Sequence, residues 1–300
     1  MLFIYNPKTQ NHLFLIEMIK QQLQSHSIPV QEIHEIQETH TIIQDKQDHI
    51  YLLFLNFYFL LDNLKIQKEF QFLSQQKYKI LYITEPIQFL IDKQLYQTQI
   101  RKLRPNLIFT YSQENCKLFT NQFPMVRFYP IDHYYLNFTN INSAQDLQEK
   151  DASSLLFIGK MNEYRKNILC SPSFKNVKII DDAWTKDSWA TLLKKHLFFV
   201  NLHRIKENKC LEIMRIVPIL YNGGIVISSV VNQEEMKEFT DYNIYFCNQD
   251  KDIYDMYLHI KQTLNYEEVY RKMLLFRKKE NNDIGKIIQY LNKIKSNNIK

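Results

Sequence analysis

The chain has 300 residues, 45% of them apolar and 23% charged, with a formal net charge of +6. That composition is ordinary for a globular protein, and the length allows two domains of roughly 150 residues each. The excess of Ile, Lys, Asn, Gln, Tyr and Phe is that of an A/T-rich coding sequence. The positive charge is spread along the chain, and its densest run, RKK at 277–279, reads as a solvated helix face rather than a nucleic-acid stripe.

In chain order, LFIY (2–5), IYLLFL (50–55), KILYIT (79–84), LIFTY (107–111) and VRFYP (126–130) predict strands. HLFLIEMIKQQLQ (12–24) and QENCKLFTNQF (113–123) predict helices between them. The opening MLFIYNPKTQ has neither a basic start nor a long apolar run, so no signal peptide is expected. IYLLFLNFYFLL (50–61) is bounded by Asp48 and Asp62. It falls short of the about 20 apolar residues that span a bilayer. A soluble, cytoplasmic protein without a membrane span is expected. The polar stretch from Ile131 to Ser153 reads as a crossing between domains.

A second alternation follows, with strands expected at SLLFIG (154–159), NVKIID (176–181), LFFVNL (197–202), GIVISS (224–229) and NIYFC (243–247). Helices are expected near 162–170, 186–195, 209–221 and 233–239, and the tail from Asp250 is largely helical. Continuous apolar strands separated by helices are what a parallel sheet covered on both faces requires. The fold class expected is therefore α/β with two Rossmann-like domains, 1–140 and 151–280. In the tail, Ile284, Ile287, Ile288, Leu291 and Ile294 form an apolar stripe after Gly285, which predicts a last helix (281–300) packed back on the first domain.

Cys116, Cys170, Cys210 and Cys247 are widely spaced and make no metal pattern, so free buried thiols are expected. The first strand runs into YNPKTQN, without GxGxxG, and no GxxxxGK[ST] occurs, so both familiar nucleotide loops are missing. Only four glycines occur, and Gly159, Gly223 and Gly224 lie at strand–helix junctions. NLHRIKENKCLEIMRIVPILYNGGIVISS places His203 at a strand's end and Glu212 and Arg215 on one helix face. A carboxylate there can accept from ribose hydroxyls, while a guanidinium and a helix start can neutralise a diphosphate.

Those residues resemble the donor-binding part of glycosyltransferases with the GT-B fold, of the kind found in large DNA viruses and bacteria. The shared pattern is N-x-H, a short loop, L-E-x-x-R-I, a small-residue turn and V-I-S, here Asn201, His203, Leu211, Glu212, Arg215, Ile216, Val226, Ile227 and Ser228. FIGKMNEYRKNIL resembles the same family's first strand of the C-terminal domain, glycine turn and basic helix start. The resemblance covers about 155–250. It implies a sugar donor bound by Gly159, Arg165 or Lys166, Glu212, Arg215, Gly223 and Gly224. Two departures stand out: Ser229 replaces the Glu that many relatives carry after V-I-S, and Leu220 stands eight residues after Glu212, where retaining members have a second Glu.

The resemblance further implies transfer of a sugar from a nucleotide sugar, the co-substrate, to a hydroxyl of a glycan or protein-linked sugar. No other cofactor is implied. His203, Asp132 and His133 are the candidates for catalysis. Glu85 reads as a cap, and Asp181–Asp182 as a turn rather than a metal site. A DNA base as acceptor and a non-catalytic module of the same fold are the alternatives.

Overall fold

The computed structural model describes residues 2–5, 13–25, 27–33, 50–55, 71–83, 90–110, 112–128, 138–181, 185–207, 210–278, 289–290, 292–293 and 296. The chain divides into two compact units, Met1–Ile131 with Asn282–Lys300, and Asp132–Asn281.

The first unit holds strands β1 (Leu2–Tyr5), β2 (Val30–Ile33), β3 (Ile50–Leu55), β4 (Tyr78–Ile83), β5 (Leu107–Thr110) and β6 (Val126–Phe128). All pair in parallel, in the order β2-β1-β3-β4-β5-β6. Its helices include α1 (Leu13–Ser25), α2 (Leu90–Leu103) and α3 (Gln113–Thr120), the last capped by Ser112, which accepts from the Asn115 amide. Continuous runs such as ILYI in β4 are buried along their length because neighbours cover both faces. Leu81 and Ile83 pack with Ile100 and Leu103 of α2 and Phe119 of α3. Strand β2, VQEI, is an edge strand that the apolar pattern did not predict.

The second unit holds β7 (Asp151–Ile158), β8 (Val177–Ile180), β9 (His196–Asn201), β10 (Ile225–Ser229) and β11 (Ile244–Cys247), again all parallel, in the order β11-β10-β9-β7-β8. Its helices are α4 (Ala144–Gln148), α5 (Glu163–Leu169), α6 (Lys186–Lys195), α7 (Ile213–Tyr221), α8 (Gln233–Phe239), α9 (Ile253–Gln262) and α10 (Tyr266–Arg277). Every residue of β9 and β10 is buried. The strand order reverses between β7 and β9, and in such sheets the carboxyl edge beside that switch is where ligands bind.

Part of the expected crossing is an integral piece of this unit. Ser143 and Asp146 form a capping box at the start of α4, and Ile141 and Leu147 enter the core. The stripe Ile284, Ile287, Ile288, Leu291 and Ile294 lies outside the described residues, as does Gly285. None of the four cysteines is in a disulfide; Cys210 and Cys247 are buried as expected, Cys116 is half-buried, and Cys170 is exposed, contrary to expectation. Among the described residues no helix is long and apolar enough to cross a membrane.

Candidate functional site

At the carboxyl edge of the second sheet, β7 turns at Gly159, whose φ is +149°. Its amide donates to Ile180 O at 2.9 Å. A Cβ there would stand 2.9 Å from Arg215 Nη2 and 3.3 Å from Phe157 Cζ, so both the backbone and the space require glycine.

Arg165, on α5, is buried, 4% exposed, and spans the switch between the ends of β7 and β9. Nη1 donates to Lys160 O at 2.7 Å, Nε to Leu202 O and His203 O at 3.1 and 3.3 Å, and Nη2 to Leu202 O at 2.9 Å. Nη2 also lies 3.3 Å from Glu212 Oε1, and Arg215 Nη2 lies 2.7 Å from Glu212 Oε2. Arg215 Nη1 donates to Asn201 Oδ1 at 3.1 Å, and Asn201 Nδ2 donates to Ser228 Oγ at 2.9 Å. Both guanidiniums sit near the Phe157 ring, 5.1 and 5.5 Å from its centroid. Burial alone would push the Glu212 carboxyl up; Arg215 and then Arg165 outweigh it and hold the group below the usual carboxylate range. Burial brings the Arg165 guanidinium down to about 10, so it stays charged at neutral pH.

Beside this network opens a cavity of about 380 Å³. Its walls are Tyr164 and Ile168 of α5, His203 and Lys206 after β9, Ser229 and Val230 at the end of β10, and Asn248–Lys251 after β11. The Tyr164 hydroxyl donates to Asp250 Oδ2, tying α5 to that last turn. His203 is 2% exposed, and its Nε2 lies 3.3 Å from Val230 O. A carbonyl only accepts, so Nε2 carries the hydrogen and Nδ1 presents a lone pair. Burial lowers the ring's pKa, which keeps it neutral at pH 7. Neither His203 Nδ1 nor the buried Ser229 Oγ has a hydrogen-bond partner. Buried polar atoms are nearly always partnered, so two orphans on residues that line one cavity stand out.

The structure thus brings together Gly159, Arg165, His203, Glu212 and Arg215 at one edge of one sheet. It does not bring Gly223 and Gly224 there. Both precede β10, and Ile225 pairs with Phe198 near the start of β9, so they lie at the opposite, amino edge, about 16 Å away along a five-residue strand. Gly223, at φ +72°, ends α7, and its missing Cβ makes room for Leu147 Cδ2; Gly224 makes room for Ile219 Cγ2. They are packing positions of the helix–strand junction. Arg165, implied as a phosphate ligand, spends its donors on carbonyls and Glu212, while Lys166 is exposed and does not line the cavity. Asp181 is exposed and accepts from the Met161 amide at 3.0 Å, a turn contact. Glu85, Asp132, His133 and Asp182 lie outside the described residues.

Tyr164, Lys206 and Lys251 were not singled out by the sequence. The position of Lys206 and Lys251, just beyond the ends of β9 and β11, was the available signal.

No protein-family model matches the chain, and no curated protein matches it by sequence. Solved structures do match. The Anabaena protein Alr3699/HepE in complex with UDP-glucose aligns with a TM-score of 0.61 at 10% identity, over 98% of this chain and 99% of that one. A glycosyltransferase from Rickettsia africae aligns at 0.52 and 8% identity over 92% of each chain. An alpha,alpha-trehalose-phosphate synthase (UDP-forming) from Burkholderia vietnamiensis aligns at 0.53 and 7%, over 85% of this chain and 76% of that one. At such identities the likeness is one of fold. These neighbours are GT-B glycosyltransferases, and the α/β fold with two Rossmann-like units is of the GT-B type.

Proposed function

We propose that the chain is a glycosyltransferase that takes a sugar from a nucleotide-sugar donor and passes it to a hydroxyl of a glycan or protein-linked sugar. The observation that carries this reading is the cavity at the carboxyl edge of β9, β10 and β11, with buried His203 Nδ1 and Ser229 Oγ unpartnered on its wall. The GT-B fold, and a neighbour of that fold crystallised with UDP-glucose, support it.

The donor's sugar hydroxyls would satisfy the orphaned atoms of His203 and Ser229. Glu212 would accept from a ribose hydroxyl with the lone pairs that Arg165 and Arg215 leave free, its side chain being 18% exposed. In the transfer, the bond from the anomeric carbon to the diphosphate oxygen breaks and its electrons leave with the nucleoside diphosphate. The acceptor oxygen bonds the same carbon and gives its proton to a base. Stabilising the departing diphosphate by positively charged side chains lowers the barrier, with no divalent ion required.

A thermal-shift screen against UDP-, GDP-, dTDP- and CMP-sugars tests the reading. A true donor at a hundredfold excess over its Kd adds about 2.7 kcal/mol of stability. No shift with any of them would leave a non-catalytic module of the same fold as the better account.

A further inference from the structure

Of the three cations that the sequence pattern offers for the donor's diphosphate, Arg165 and Arg215 are buried and paired, and Lys166 does not line the cavity. Arg165 is spent on three backbone carbonyls and Glu212, and Arg215 on Glu212 and Asn201, with only its buried Nε left over. A diphosphate arriving at the cavity needs other positive charge.

Two ammonium groups are placed for it. Lys206, after β9, and Lys251, after β11, both line the cavity and are both exposed. Neither has an acidic partner among the described residues. Asp250 and Asp252 flank Lys251 in the chain; Asp250 is turned to the Tyr164 hydroxyl, which also fixes the turn that carries the lysine. Strand β10 lies between β9 and β11. The two lysines follow, by five and four residues, strands about 10 Å apart that flank the strand carrying Ser229. Both line the same cavity, and a flexible four-carbon stem lets each ammonium swing over it.

Resting on the functional reading above, we infer that Lys206 and Lys251 clamp the donor's diphosphate over the end of β10. His203 and Ser229 beneath them meet its hydroxyl-bearing part. The site divides the ligand by chemistry, with mobile charge at the rim and neutral hydrogen-bonding groups at the wall. The guanidiniums behind it hold the loops in place instead of touching phosphate.

The test is calorimetric titration of the full chain with UDP, GDP and dTDP at low and high salt, comparing the parent with the double variant Lys206→Gln/Lys251→Gln and with Lys166→Gln. Both clamp lysines are exposed, so folding is not at stake. The double variant should bind the accepted nucleotide on the order of tenfold or more weaker, the loss of hydrogen bonds to a charged group. Its affinity should also depend less on salt than the parent's. If the parent binds none of the three, the functional reading itself fails. If the parent binds and the double variant matches it in affinity and salt dependence, that reading stands and the clamp is wrong. The loss appearing in Lys166→Gln instead would return the phosphates to α5 and equally overturn the clamp.

Discussion

The guanidinium of Arg215 occupies the space that a side chain at Gly159 would fill: a Cβ at Gly159 would stand 2.9 Å from Arg215 Nη2. A residue at the end of β7 and one on α7 are thereby fixed against each other. Gly159→Ala must strain a φ of +149° and displace the guanidinium from Glu212. We expect a loss of about 1–3 kcal/mol from the backbone alone. Urea unfolding of the variant measures it, and an unchanged midpoint would show that the turn relaxes freely.

Arg165→Met should cost more. It keeps the bulk of the stem but leaves Lys160 O and Leu202 O without their donor in a buried place, and Glu212 with Arg215 alone. Removing one partner of a buried pair costs about 3–5 kcal/mol. The same denaturation series reads this, and Arg165→Lys should recover little, because a single ammonium cannot reach carbonyls on two loops at once.

Glu212→Ala should act on both stability and binding. Without its charge, the Arg165 and Arg215 guanidiniums face each other unneutralised beside Phe157. Loss of a ribose contact should weaken nucleotide-sugar binding by about 1–3 kcal/mol. Titration well below the melting temperature separates the two effects; donor affinity equal to the parent's would remove Glu212 from the donor site.

Sugar transfer should persist in EDTA, since in the proposed reaction the charge that receives the diphosphate belongs to side chains. Product formation is followed with and without chelator. Complete loss, restored by magnesium or manganese, would move Asp181 and Asp182 from turn to active site.

Stability should climb with pH through the titration of Lys150. Its buried ammonium donates to Asn222 O at 2.8 Å and to Leu193 O. Burial, and then Arg277, bring its pKa from 10.5 down to about 7. Between those values the unfolded chain binds a proton that the folded chain does not, so this group makes folding more favourable as pH rises from about 7 to 10.5. Below about 7 both states are protonated and its contribution is level. Lys150→Met should be less stable overall but show a flatter dependence across that window in urea midpoints.

The two parallel sheets were legible because burial on both faces forces unbroken apolar runs such as SLLFI and GIVIS. Strand β2 was not, since VQEI sits at an edge and carries only two apolar residues. His203, Glu212 and Arg215 were legible as a group because strand end and helix start must meet at the carboxyl edge. The same rule, applied strictly, puts a helix-to-strand junction at the other edge, which is where Gly223 and Gly224 lie. Arg165 was misleading for a different reason. In sequence it is one of two adjacent cations at a helix start, and only the fold shows that one faces solvent while the other is buried against carbonyls.

Asn222 joins parts of the chain that composition had separated. Its Oδ1 accepts from Phe138 N, Thr139 N and Thr139 Oγ1, at 2.8 to 3.0 Å, and its Nδ2 donates to Pro218 O at 2.7 Å. The backbone at Phe138 and Thr139 is therefore tied to the end of α7 through a fully buried Asn222. The amides of Phe138 and Thr139 can exchange with solvent only when the second sheet and its helices come apart together, so the polar approach to this unit belongs to its slowest-exchanging body.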